Sequence, residues 1–147
     1  MEIDRNGLEV LDEDQCLQLL AGTKVGRVAL CLGALPVILP VQYALDGRDP
    51  VFRTNRGAKL DSALHREVVC LEADSSDSTY HAGWSVLAIG RAEVVSDPAA
   101  LERLHRLPLR PWVAGGADYF VRIKTELLSG RRIGIEARRV AEATVTA

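Results

Sequence analysis

The sequence predicts a mostly β protein, an antiparallel and closed sheet flanked by a few helices, and three observations point there. The stretches 25–45 and 84–95 are long apolar runs that read as buried strands. Turn pairs such as Gly33-Ala34 and Asp46-Gly47 separate successive runs and join them as hairpins. Helical segments are few, so most strands have no crossover to make them parallel.

Taken in order, residues 1–10 are polar and unpatterned and read as a loose lead-in. Asp12 predicts the N-cap of a first helix, with Gln15 placed to reach back and Leu11 to staple onto Cys16. Cys16, Leu19 and Leu20 share its apolar face, and Gly22 closes it. Strands over 25–32 and 36–44 pair as a hairpin. Asp46-Gly47 then leads into a short strand over 51–54, a helix over 57–65 and a strand over 68–72. The segment 74–79 reads as a polar loop.

A long strand covers 84–95, and Gly90 within it marks a bulge or a closely approached backbone. Asp97-Pro98 opens another helix with proline at the first position, and Leu101, Leu104 and Leu107 form its apolar face. Pro108 and Pro111 end it. Strands over 119–127 and 131–136 follow, joined by Ser129-Gly130, and 138–147 reads as a loose tail. Because the runs are apolar on both faces, the outer face of the barrel is expected to pack on a helix or a second copy of the chain.

A chain of 147 residues is sized for one domain, 1–147, with a core that needs no staples. Its 18 basic and 20 acidic residues nearly cancel, which argues against a general nucleic-acid binder. Cys16, Cys31 and Cys70 are widely spaced and odd in number, neither a disulfide framework nor a zinc site, and His65, His81 and His105 lack ligand spacing. No leader pattern or apolar span is visible, so a cytoplasmic protein without a membrane segment or metal is expected.

The most informative stretch runs from Phe52 to Leu60. A strand ends at Thr54, a glycine-containing turn follows and a helix begins, with Arg53, Arg56 and Lys59 gathered around the turn. Cations are unfavourable at a helix N-terminus unless an anion is bound there, which points to a phosphate. The plainer reading is a set of solvated charges partly offset by Asp61. Neither a P-loop nor a dinucleotide fingerprint is present. Trp84 reads as core or site wall, and Trp112, in a loop, as a stacking residue for a ligand or partner.

These segments together resemble the pyridoxamine 5′-phosphate oxidase-like, FMN-binding split-barrel superfamily, in its short single-domain branch. The matching stretches are Val25-Gly26-Arg27-Val28-Ala29, the run Pro36 to Tyr43, Phe52 to Leu60, Gly83-Trp84-Ser85-Val86 through Ile89-Gly90-Arg91-Ala92, and Gly130-Arg131-Arg132-Ile133. They cover roughly 11–136 in the family's order.

The resemblance implies a six-stranded antiparallel split β-barrel of Greek-key type with three to four flanking helices. It also implies a homodimer that holds an FMN at each end of the subunit interface. By position, Arg53, Thr54 and Lys59, with Leu60 closing the run, would hold the phosphate and ribityl chain. Leu39, Pro40 and Val41 would line the ring through their backbone. Ser85 would contact the flavin and Trp84 wall the site, while Trp112 and Arg131 would reach it from either subunit.

The phosphate turn is shorter than in the true oxidases, and Pro36 and Val41 stand where those enzymes carry Arg and Lys. Vitamin B6 oxidation is therefore not expected. The implied activity is a flavin-dependent oxidoreductase acting on a small molecule. A deazaflavin (F420)-dependent reductase and a non-catalytic flavin- or haem-binding module are the alternatives, and no catalytic residue is assigned.

Overall fold

Nine strands and three helices make up residues 1–79, 81–110 and 119–134, the residues described by the computed structural model. Trp112, Pro111 and the 138–147 tail lie outside them. In chain order the elements are β1 (Glu2–Ile3), β2 (Leu8–Leu11), α1 (Glu13–Ala21), β3 (Val25–Leu32), β4 (Leu35–Gln42), β5 (Ala44–Asp46), β6 (Asp49–Thr54), α2 (Ala58–Leu64), β7 (Val68–Asp77), β8 (Ala82–Val94), α3 (Pro98–Leu104) and β9 (Tyr119–Ile133). Six strands, β3, β4 and β6–β9, have six residues or more and form the barrel wall, while β1, β2 and β5 are short additions.

Every pairing is antiparallel. The path runs β1-β2-β9-β8-β7-β3-β4, and β6 joins through β9 and carries β5. β4 ends this path as an edge strand. It approaches β6 without pairing to it, and there the barrel is split.

Local signals explain most elements. Both halves of the α1 capping box form: Asp12 Oδ1 accepts from the Gln15 backbone N–H at 2.8 Å, and Gln15 Oε1 from that of Asp12 at 2.9 Å. Cys16 and Leu20 then face the core beside Leu11. At α3 the Asp97 carboxylate accepts from the Ala100 N–H at 3.0 Å, with Pro98 at the first position. Leu101, Leu104 and Leu107 gather there with Val51, Leu109 and Phe120 in a second small core. The main core is the inward row of the sheet, including Val28, Leu30, Leu71, Val86, Ala88, Val121 and Ile123, with Phe52.

Three expectations need correction. Residues 1–10 are not a loose lead-in. Asp4 Oδ1 accepts the backbone N–H groups of Asn6 and Leu8 at 2.9 and 3.0 Å and turns β1 onto β2, which pairs with the end of β9. Polar bonding holds this arm, so it leaves no apolar pattern. The 74–79 loop is β strand as far as Asp77, paired with Ala82–Ser85. Its residues are exposed on both faces, and the ladder alone carries it. Ser129-Gly130 is no turn, because β9 runs unbroken through it. Gly130 is buried where a Cβ would lie 2.8 Å from Cys16 Sγ, so this glycine lets α1 close on the sheet.

The outward face is apolar in part. One register row across the sheet reads Ile38, Ala29, Cys70, Ile89 and Leu127, with Ile38 67% and Leu127 55% exposed.

Asp46 ties the β5–β6 hairpin to its neighbours. Its oxygens accept from Arg103 at 3.1 and 2.8 Å and from Arg122 as well. Hydrogen bonding from Arg103, then from Arg122, outweighs partial burial and holds the Asp46 carboxyl below the ordinary aspartate range. A depressed folded-state pKa stabilises the protein above the unfolded-state value, and that contribution is lost as pH falls through the folded one. Asp46→Asn is expected to lower stability at pH 7 by about 1–2 kcal/mol, since water screens the Arg103 half. In urea unfolding the gap to wild type should narrow once the pH drops below about 3.9.

Candidate functional site

The split between β4 and β6 opens into a cleft of about 340 Å³. Leu39, Pro40, Val41 and Gln42 form one wall, Arg53 and Thr54 the other. The turn from Asn55 to Lys59 makes the floor, with Leu109 and Arg110 beside it.

The β4 wall has a defined hydrogen-bonding character. The Lys24 backbone carbonyl accepts from the Tyr43 N–H at 3.1 Å, which places the odd-numbered residues of β4 in hydrogen-bonded pairs with β3. The even-numbered residues therefore turn their backbone groups off the open edge. Pro36 and Pro40 fall at such positions, where a missing N–H costs the ladder nothing. Pro40 offers a carbonyl to the cleft and no donor.

The opposite end is cationic. Arg53, Arg56, Lys59 and Arg110 line the cleft, and no carboxylate does so among the described residues. The Arg53 guanidinium lies over the Phe120 ring, 5.1 Å from its centroid, and Phe120 is paired with Arg53 across β6 and β9. Thr54 is buried, its hydroxyl donating to the Asn55 carbonyl at 3.1 Å. Desolvation lowers the Lys59 amine below the ordinary lysine value, and no ion pair among the described residues engages it. With α2 only seven residues long, the side-chain cations and not the helix dipole dominate here. A half-buried ammonium without a counter-ion is a site that an anion completes.

Of the residues singled out in the sequence, the cleft brings together Leu39, Pro40, Val41, Arg53, Thr54 and Lys59. Leu60 turns into the protein and is 4% exposed. Trp84, Ser85 and Arg131 line a different cleft of about 220 Å³ with Leu8, Asp74 and Arg132, and share no residue with the first. Arg131 donates there from Nε to Asp4 at 3.0 Å and from an Nη to the Gly130 carbonyl at 2.9 Å, while Arg132 pairs with Glu9. Trp112 is outside the described residues.

Sequence reading missed Gln42, Leu109 and Arg110. Gln42 carried a signal, as the lone amide in the apolar run from Leu35 to Leu45. Leu109-Arg110 follows a proline in an unpatterned loop and carried none. Among the described residues there is no group of three or more metal-ligating side chains, and no helix is long and apolar enough to cross a membrane.

Comparison with known proteins agrees with this architecture. An uncharacterised protein of Mycobacterium tuberculosis is 40% identical over 134 residues, covering 87% of each chain. A solved structure described as the FAD binding protein from Mycobacterium smegmatis superposes with a TM-score of 0.72 at 32% identity, over 84% of this chain and 96% of that one. A FAD-binding protein from Mesorhizobium loti has a TM-score of 0.72 at 23% identity, over 86% and 99% of the two chains, and supports the fold alone. The family described as Pyridoxamine 5′-phosphate oxidase matches residues 12–132, so the chain belongs to the pyridoxamine 5′-phosphate oxidase-like split-barrel superfamily.

Proposed function

We propose that this chain is a flavoprotein that binds FMN in the β4–β6 cleft and serves as an oxidoreductase for a small molecule. The observation that carries the reading is the polarity of the cleft. Four cations stand at one end without a carboxylate among the described lining, and the apolar wall from Leu39 to Val41 stands along the other side. A phosphate suits the first and a flat aromatic ring the second. The flavin supplies the electron transfer, while the chain binds and orients it. Lys59, Arg53 and Thr54 hold the phosphate, and the open edge of β4 meets the ring.

FAD shares the riboflavin 5′-phosphate of FMN, and the M. smegmatis relative is described as binding it. A deazaflavin is the second reading, favoured by Arg56 and Arg110, which stand exposed at the cleft where a longer anionic tail would pass. A second copy of the chain covers the Ile38–Leu127 row. It also brings its own Trp84, Ser85 and Arg131 toward the cofactor, which explains why those residues lie apart from the first cleft. Three free thiols suit a reducing compartment such as the cytoplasm.

The purified protein is expected to be yellow, to release FMN on acid treatment and to scatter light as a dimer. Released FAD would change the cofactor's name and keep the site. A colourless protein that takes up only F420, or one whose spectrum is that of haem, would sink the reading.

A further inference from the structure

Gln42 carries a buried polar atom that the described residues leave without a partner. Its Oε1 is sealed from solvent and meets no donor among the described residues, although the side chain as a whole is half-buried and lines the cleft. The two buried threonines of the sheet, by contrast, are satisfied: Thr125 donates to the Arg48 carbonyl at 2.9 Å, and Thr54 donates to that of Asn55. A buried acceptor left unmade is costly, and native structures retain few of them. The neighbourhood sharpens the point. Pro40, two residues back on the same edge, presents a carbonyl and no N–H.

We infer that Gln42 reads the uncharged part of the cofactor, its Oε1 accepting an N–H or O–H donor from the bound ligand. This rests on the flavin reading above. The glutamine side chain has several rotatable bonds, so a change of rotamer carries the whole carboxamide, Oε1 included, from its sealed position into the cleft. Two groups on a flavin have the required chemistry, the imide N–H of the ring and the hydroxyls of the ribityl chain.

The test titrates full-length wild type, Gln42→Met and Gln42→Leu, each stripped of cofactor, with FMN and with N3-methyl FMN, and melts each protein without ligand. Both variants are expected to bind FMN roughly tenfold more weakly, the size of one hydrogen bond, and to melt no lower than wild type. If the imide is the donor, N3-methylation weakens wild type and leaves the variants unaffected. If a ribityl hydroxyl is the donor, methylation shifts all three proteins alike. FMN affinity in the variants within about twofold of wild type, or a clear fall in both melting temperatures, overturns the inference. A wild type that binds no flavin overturns the flavin reading as well. Normal wild-type binding with unimpaired variants overturns this inference alone.

Discussion

Lys59→Ala is expected to weaken FMN binding by about 1.5–3 kcal/mol, roughly ten- to a hundredfold, and to leave riboflavin binding nearly unchanged. The size follows from what Lys59 lacks in the free protein. Its ammonium is partly desolvated, which lowers its pKa, and no ion pair among the described residues compensates. Removing it therefore costs the ligand-free fold little, and its melting temperature should hold. All of the loss falls on the phosphate. Riboflavin lacks that group, so the preference for FMN over riboflavin should shrink by the same factor as the FMN affinity. An equal loss for both ligands would assign Lys59 to packing.

The pH dependence has a definite sign. A lysine with a lowered pKa sheds its proton earlier on the alkaline side than an ordinary one near 10.4, and wild-type affinity for FMN should fall with it. The variant should lack the lysine's share of that fall and keep only what ionisation of the flavin's own imide N–H adds. Fluorescence titration in moderate salt, repeated from neutral to alkaline pH, measures both effects.

Much of this site was legible because its parts are adjacent in sequence. Arg53 to Lys59 is one strand end, one turn and one helix start, and the charge pattern could be read without knowing what lay opposite. The capping residues Asp12, Gln15 and Asp97 were legible for the same reason, since a cap acts within four residues. What escaped depends on contacts between distant segments. Leu109 and Arg110 reach the cleft only because α3 packs through Leu104 against Val51 and Phe120. The separation of Trp84, Ser85 and Arg131 from the phosphate end depends on the path of β8 and β9, which no local signal reveals. The first strands escaped because polar bonds and ion pairs to Arg131 and Arg132 hold them, without an apolar period. Gly130 was misread because a glycine needed for close packing looks, in one sequence, like a glycine needed for a turn.

Gly90 shows the same ambiguity resolved by geometry, and Gly90→Ala is expected to destabilise the protein by about 3 kcal/mol or more. The register between β8 and β9 shifts between Ile89 and Gly90, and the backbone of β9 closes on the glycine at this bulge. A Cβ built there would lie 2.6 Å from the Lys124 carbonyl carbon and 3.2 Å from Thr125 Cα, with the Lys124 oxygen nearer still. These are backbone atoms of a central strand, so no flexible side chain can swing aside. Thr125 is also fixed from its other side, where its N–H donates to Asp49 at 3.0 Å and its hydroxyl to Arg48, so moving β9 would break those bonds as well. For a chain of this size the loss corresponds to a fall in Tm of roughly 6–12 °C. Gly33→Ala provides the control. Gly33 has a φ of +60° at an open hairpin tip with nothing within 4 Å, so alanine there meets only backbone strain and should cost about 1–2 kcal/mol. If Gly90→Ala proved no worse than Gly33→Ala in thermal melts, β9 would be able to shift at the bulge. The tight β8–β9 contact would then be no barrier to a side chain.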